Sequence, residues 1–107
     1  NTDDVRESIS IELIKKLLNK KAKITIYDPK ATENTKNIFG DKIIYSKSLI
    51  DALNGSQCAI IMTQWKEFEN LNNIIIKKMK KKIIIDCRRI LAGSKLNAKY
   101  YALGIGK

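Results

Sequence analysis

The apolar residues of this chain change their spacing repeatedly, and this alternation limits the possible folds more than any other feature. Apolar side chains three and four positions apart over residues 9 to 20 predict an amphipathic helix that begins after Ser8. Residues 23 to 27 then form a β-rich run, which Pro29 ends because proline cannot donate to a central ladder. The alternation continues along the chain, with helices predicted at 31–39, 48–53 and 67–80 and strands at 43–45, 58–62, 83–85 and 100–105.

Strands and helices that alternate without an internal repeat or a linker predict one α/β domain, residues 1–107, with a mostly parallel sheet. The run from Cys58 to Met62 is apolar throughout, as expected of a strand that helices cover on both faces. We therefore expect a three-layer arrangement, in which Cys58 behaves as a small buried hydrophobe.

The sequence also excludes several kinds of chemistry. It contains no His, which removes the commonest general base and metal ligand and every Ser-His or Cys-His nucleophile. No apolar run approaches the roughly eighteen residues of a membrane span, so we expect no membrane partner. The two cysteines, Cys58 and Cys87, have neither metal-ligand spacing nor a disulfide pattern, which predicts no metal site and a cytoplasmic location.

The net charge of +10 indicates an anionic partner, such as a nucleic acid or a phosphorylated ligand. All but three of the 21 basic residues are Lys, and Ile and Asn are also abundant, which is typical of an A·T-rich genome. We interpret the Lys-rich residues 77–82 as a solvated helix end. A basic nucleic-acid-binding α/β module remains the alternative function, although the scarcity of Arg argues against base recognition.

In parallel α/β sheets, ligands bind beyond the carboxyl ends of the strands, so the residues there are the candidates for a site. They include Asp28, residues 63 to 65 and residues 86 to 89. Arg88, directly after a buried strand, could present its donor fork to pyrophosphate or sugar oxygens, or pair with Asp86 at the surface. Asp28 could accept a phosphoryl group, but capping of the chain before Pro29 is the better interpretation.

Four segments in register resemble the C-terminal, UDP-binding domain of the UDP-glucose and GDP-mannose dehydrogenase family. They are residues 1 to 8 (Asn-Thr-Asp-Asp-Val-Arg-Glu-Ser), 27 to 29 (Tyr-Asp-Pro), 63 to 68 (Thr-Gln-Trp-Lys-Glu-Phe) and 86 to 91 (Asp-Cys-Arg-Arg-Ile-Leu). The last two are more similar to the UDP-glucose branch. The resemblance implies a Rossmann-like domain that closes over the nucleotide half of UDP-glucose, in an enzyme that uses NAD to oxidise the sugar to a uronic acid.

The resemblance also implies roles for individual residues. Arg88 would contact the UDP-sugar, and Arg6 would reach toward NAD, although Arg6 could equally form a structural salt bridge with neighbouring carboxylates. By their positions at strand ends, and not by the resemblance, Thr63, Trp65 and Arg89 would lie at the ligand edge, where Trp65 could pack on a ribose, line a domain interface or be buried under the following helix. Cys87 occupies a position that is usually Gly in the family, in a segment distinct from the catalytic-thiol motif.

In the family, a central strand and a Phe-Lys pair come directly before the segment that matches residues 1 to 4. We therefore expect this chain to be a fragment of a longer dehydrogenase, with a gap, a substitute strand or a second copy at that place in the sheet. The resemblance implies that other domains of the enzyme hold most of NAD and the catalytic Cys, and that the full enzyme is a homo-oligomer. The fragment alone is predicted to be inactive.

Overall fold

The computed structural model describes residues 2–28, 33–63, 66–93 and 95–103, with side chains from Ser8 onward. The chain divides into two compact units, Asp3–Ala52 and Leu53–Lys107, apart from its first two residues. All strand pairs in the described ranges are parallel, which confirms the prediction of an α/β chain with parallel strands. These strands form two small sheets instead of one continuous sheet, and the three-layer arrangement stays a prediction.

The first unit contains a long helix, a short helix and a two-stranded sheet. Its elements are α1 (Thr2–Asn19), β1 (Thr25–Ile26), α2 (Glu33–Phe39), a 3-10 helix (Gly40–Lys42) and β2 (Ile44–Tyr45), and α3 (Leu49–Leu53) follows at the boundary. In β1 and β2, Thr25 lies opposite Ile44 and Ile26 opposite Tyr45.

The core of the first unit is small and contains residues from α1 and α2 and the residue that precedes β2. Ile14, Phe39 and Ile43 are buried together, and partly buried side chains pack against them. These partly buried side chains are Ile11, Leu18, Ile24, Ile26 and Tyr45.

α1 begins at Thr2, which corrects the prediction of a helix that starts after Ser8. Ser8 is therefore inside the helix and is not its N-cap. The physical reason is local: residues 2 to 8 contain no Gly or Pro to stop the helix, and carboxylates are favourable near a helix N-terminus. Arg6 consequently lies within α1 instead of just before it.

The second unit contains a three-stranded parallel sheet in the order β3, β4, β5. Its elements are β3 (Ala59–Ile61), a 3-10 helix (Lys66–Asn70), α4 (Asn73–Ile76), β4 (Ile83–Asp86) and β5 (Lys99–Ala102). Its buried apolar residues are Leu53, Ile61, Phe68, Leu71, Ile76, Met79, Ile84, Cys87 and Leu91.

The prediction of one helix over residues 67 to 80 was wrong, because the segment is divided into a 3-10 helix and the four-residue α4. Asn72 causes the division. Its backbone is extended, and its side-chain oxygen accepts hydrogen bonds from the backbone N–H groups of Ile74 (2.9 Å) and Ile75 (3.2 Å). A residue that caps a new helix in this way cannot also continue the previous one. The Lys-rich residues 77–82 therefore all lie between α4 and β4, which corrects the prediction that they form a helix end.

Cys58 corrects another expectation, since it precedes β3 and is exposed instead of lying inside a buried strand. The predicted end of α2 is confirmed by Gly40, whose φ of +54° is the left-handed conformation that favours glycine. Ser48 caps α3 at the start of the helix predicted over residues 48–53, because its Oγ accepts a hydrogen bond from the backbone N–H of Asp51 at 3.1 Å.

Candidate functional site

The candidate site lies at the carboxyl edge of the second sheet, where β3 and β4 end side by side. Ile61 lies opposite Asp86, and the backbone N–H of Cys87 donates to the carbonyl of Ile61 at 2.9 Å. Thr63 and Arg88 each lie two residues beyond this registered pair. The parallel register therefore brings two of the predicted site residues to one edge of one sheet.

Asp86 ends β4 and is fully buried, with 0% of its surface exposed. Its Oδ1 accepts a hydrogen bond from the backbone N–H of Arg88 at 3.1 Å. Its Oδ2 accepts two more, from the backbone N–H of Leu91 and from the Tyr100 hydroxyl, both at 2.7 Å. A buried carboxylate is tolerated only when donors surround it, and here three donors from two elements do so.

Sequence reasoning considered Asp86 only as a surface partner for the Arg88 side chain and missed this role. In the described part of the chain, the hydrogen bond between the two residues comes from the backbone N–H of Arg88 instead of its guanidinium. One signal in the sequence could have revealed it. Side chains alternate between the two faces of a strand, so Asp86 lies on the same face as Ile84, which is also fully buried.

Arg88 is half-buried at the start of the turn that follows β4, with its backbone held by Asp86. Arg89 is exposed and has a φ of +57°, a left-handed conformation that is uncommon for a residue with a Cβ. The hydrogen bonds of Asp86 to residues on both sides of Arg89 maintain that conformation. The turn is thus built around the buried carboxylate and directs two consecutive arginines to the sheet edge.

Tyr100 comes from β5 and is a proton donor at neutral pH. Burial raises the pKa of Tyr100 to about 12, and the hydrogen bond to Asp86 and its negative charge act in the same direction. The positive charge of Arg89 lowers this pKa and partly opposes them. The hydroxyl therefore stays protonated and can donate to Asp86 throughout the physiological pH range.

Cys87 is buried, with 3% of its surface exposed. Burial raises the pKa of the Cys87 thiol, and the negative charge of Asp86 raises it further. Because the thiolate is the reactive form of cysteine, this environment suits an inert side chain and not a nucleophile.

The structure does not bring all the predicted site residues together. Thr63 is half-buried at the edge described above, whereas Trp65 lies outside the described residues. The backbone of Arg6 belongs to α1, but its side chain lies outside the described part of the chain. Asp28 follows β1 in the first unit, at the end of a different sheet.

The described residues contain no group of three or more Cys, Asp or Glu side chains arranged to hold a metal ion. Among the same residues, no helix has the length and apolar character needed to cross a membrane.

Comparison with known proteins identifies relatives of nearly the whole chain. A UDP-glucose 6-dehydrogenase of Rickettsia conorii is 40% identical over 108 residues, which cover 96% of this chain and 25% of that protein. A UDP-glucose 6-dehydrogenase of Haloferax volcanii is 43% identical over 90 residues, which cover 84% of this chain and 20% of that protein. A third, from Bacillus subtilis, is 28% identical over 102 residues, with coverages of 94% and 22%.

The chain thus spans about a quarter of the length of the curated relatives that it matches. Residues 1–93 match the sequence profile of the UDP-binding domain in the UDP-glucose/GDP-mannose dehydrogenase family. This match includes β1 to β4 and the turn that carries Arg88. The chain therefore belongs to the UDP-glucose/GDP-mannose dehydrogenase family and corresponds to its UDP-binding domain.

Proposed function

We propose that this chain binds the nucleotide half of UDP-glucose as one part of an NAD-dependent UDP-glucose 6-dehydrogenase. That enzyme would oxidise UDP-glucose to UDP-glucuronate. The family assignment and the relatives named UDP-glucose 6-dehydrogenase support this proposal. They favour a UDP-sugar over nucleic acid as the anionic partner of this basic chain.

The observation that carries the proposal is the position of Arg88. It follows a strand by two residues, at the sheet edge where α/β proteins bind ligands, and two hydrogen bonds from its turn to the buried Asp86 hold the turn in place. A guanidinium presents two parallel N–H donors, which match the oxygens of a pyrophosphate. We assign to Arg88 the contact with UDP, and to Thr63, Trp65 and Arg89 the surrounding edge.

NAD does not fit the described residues of this chain. The described segments that follow β1, β2, β3 and β4 begin at Tyr27, Ser46, Met62 and Cys87, and none of them contains the Gly-rich loop that a dinucleotide site would need. We propose that the N-terminal and middle domains of the enzyme make most of the contacts with NAD, and that Arg6 reaches toward NAD from this chain. The chain on its own would then be inactive. The full enzyme would be a cytoplasmic homo-oligomer.

An NMR titration of the chain with UDP-glucose tests the proposal, with GDP-mannose and a short DNA duplex titrated in parallel. We expect shifts centred on Thr63, Arg88 and Arg89 that are selective for UDP-glucose. Arg88→Ala should weaken the affinity on the order of tenfold, since it removes a charge-assisted donor fork.

Lys81→Ala is the matched control for this substitution. Lys81 precedes β4 by two residues and Arg88 follows it by two, so both variants lose one positive charge at opposite ends of the same strand. Lys81→Ala should change the affinity for UDP-glucose less than twofold. Equal losses in the two variants, or stronger binding of DNA than of UDP-glucose, would contradict the proposed site.

A further inference from the structure

The Asp86 carboxylate connects the turn that carries Arg88 to a side chain on the neighbouring strand. Oδ2 accepts from the Tyr100 hydroxyl and from the Leu91 backbone N–H, both at 2.7 Å, while Oδ1 accepts from the Arg88 backbone N–H at 3.1 Å. A single residue, Asp86, therefore links the Tyr100 hydroxyl to the backbone of Arg88 through hydrogen bonds, although 12 positions separate Tyr100 and Arg88 in sequence.

The pairing of β4 and β5 does not depend on the Tyr100 hydroxyl. The backbone register runs from Ile83 opposite Lys99 to Asp86 opposite Ala102, and the N–H of Leu103 donates to the Asp86 carbonyl at 2.9 Å. Tyr100 lies opposite Ile84, so its side chain extends along the strand to reach Asp86, two residues further on. Removal of the hydroxyl alone would leave the sheet paired and the ring in place.

The hydroxyl nevertheless has a specific effect on the carboxylate. Asp86 is fully buried, so water does not replace a donor that is lost there. The two remaining donors are both backbone N–H groups of the turn, at positions 88 and 91. With Tyr100 present, the carboxylate is anchored from the sheet. Without it, Asp86 stays in β4, but the only donors left to orient its carboxylate belong to the turn itself, and the turn gains freedom.

We propose that Tyr100 is a positioning residue for UDP binding, which acts through Asp86 to fix the turn that presents Arg88. The proposal rests on the proposed function, since it takes Arg88 as the residue that contacts UDP. It assigns to β5 a part in the site, although no residue of β5 was a predicted site residue.

A double-mutant cycle on the affinity of the chain for UDP-glucose tests this proposal. We expect Tyr100→Phe to weaken binding about threefold to tenfold, the range of one hydrogen bond. In the Arg88→Ala background, Tyr100→Phe should cause no further loss, because its effect passes through the Arg88 contact. Equal losses in both backgrounds would overturn the inference, since they would indicate a general structural effect.

Tyr101→Phe is the matched control, because it removes the same atom from the next residue of β5, where the side chain is 53% exposed. It should change the affinity less than twofold. NMR relaxation of the Arg88 Nε–H group in the unliganded chain gives a second readout. We expect greater mobility of this group in Tyr100→Phe than in the unsubstituted chain or in Tyr101→Phe.

The outcomes also separate this inference from the proposed function. If Arg88→Ala weakens binding but Tyr100→Phe changes neither the affinity nor the mobility of Arg88, the inference is overturned and the proposed function stands. If Arg88→Ala leaves the affinity for UDP-glucose unchanged, the assignment of the UDP contact fails, and the role of Tyr100 fails with it.

Discussion

The Tyr100 hydroxyl donates a hydrogen bond of 2.7 Å to the Asp86 carboxylate, and the two residues lie on neighbouring parallel strands of one sheet. The carboxylate is fully buried, so its negative charge acts on Tyr100 with little screening by water. Burial is the largest cause of the raised pKa of Tyr100, and the hydrogen bond and charge of Asp86 add to it, so this tyrosine resists ionisation and the stability of the chain depends on pH in the alkaline range.

We predict that the stability contributed by Tyr100 is lost in alkali. The folded chain keeps this tyrosine protonated until about pH 12, whereas a tyrosine in the unfolded chain ionises near pH 10. Above about pH 10 the unfolded state therefore binds fewer protons than the folded state, so the free energy of unfolding falls as the pH rises toward 12. Below about pH 10 the full contribution of Tyr100 is present. Urea unfolding at neutral pH and at about pH 11 measures the effect. Tyr100→Phe should lose less stability between these two pH values than the unsubstituted chain, and equal losses would contradict the prediction.

The second prediction concerns the left-handed backbone of Arg89, with its φ of +57°. Glycine adopts this conformation without steric cost, so Arg89→Gly should raise the free energy of unfolding by about 0.5–1 kcal/mol, after its greater entropy in the unfolded chain is counted. Arg89→Ala also removes the guanidinium but keeps the Cβ, and should bring no such gain. Urea denaturation of the three chains decides the question, and a similar change in both variants would show that the backbone of Arg89 is not strained.

The core of the second unit offers a comparison between two isoleucines. Ile84 in β4 is 0% exposed and Ile74 in α4 is 76% exposed. We expect Ile84→Ala to lower the free energy of unfolding by about 2–5 kcal/mol, because it removes buried methyl groups and leaves a cavity. Ile74→Ala should stay within about 0.5 kcal/mol of the original chain. Urea denaturation measures the change in both variants, as a shift of the midpoint with an unchanged dependence on denaturant concentration. A large loss of stability in Ile74→Ala would show that a partner covers this side chain.

The fourth prediction is that the two thiols differ in reactivity. Cys58 is exposed as a residue and Cys87 is buried, while partial desolvation of the Cys58 sulfur and burial of Cys87 raise the pKa of both thiols above the ordinary value. Both should therefore react slowly with a disulfide reagent at neutral pH, with Cys58 first and Cys87 only when the chain opens. Cys58→Ser should abolish the faster phase and Cys87→Ser the slower one. A fast phase that survives in Cys58→Ser would refute the burial of Cys87.

The spacing of apolar residues predicted the order and type of most elements. The runs around residues 25, 44, 60 and 84 form strands, and Gly40 and Ser48 end and begin helices as their conformational and capping preferences predict. These features depend on neighbours within a few positions, so a linear sequence contains the information. The position of Arg88 directly after a strand was predictable for the same reason.

The segment of residues 67 to 80 shows where such reasoning failed. Its apolar spacing favours one helix, but Asn72 can hydrogen-bond to the backbone ahead of it and begin a second helix. Spacing alone does not tell which of the two local preferences prevails. The prediction that Cys58 is buried in a strand was wrong for a related reason, because β3 begins one residue later than the apolar run does.

The sequence by itself determined that this chain alternates helices and parallel strands and that an arginine follows one of those strands, since both depend on local periodicity. Only the tertiary structure decided which strands are neighbours. That pairing sets Ile61 against Asp86 and brings Thr63 to the edge that carries Arg88. It also places the Tyr100 hydroxyl on a carboxylate 14 residues away, and so makes Asp86 a buried acceptor instead of a surface partner. Contacts of this kind arise from strand register, which depends on how distant segments pack together.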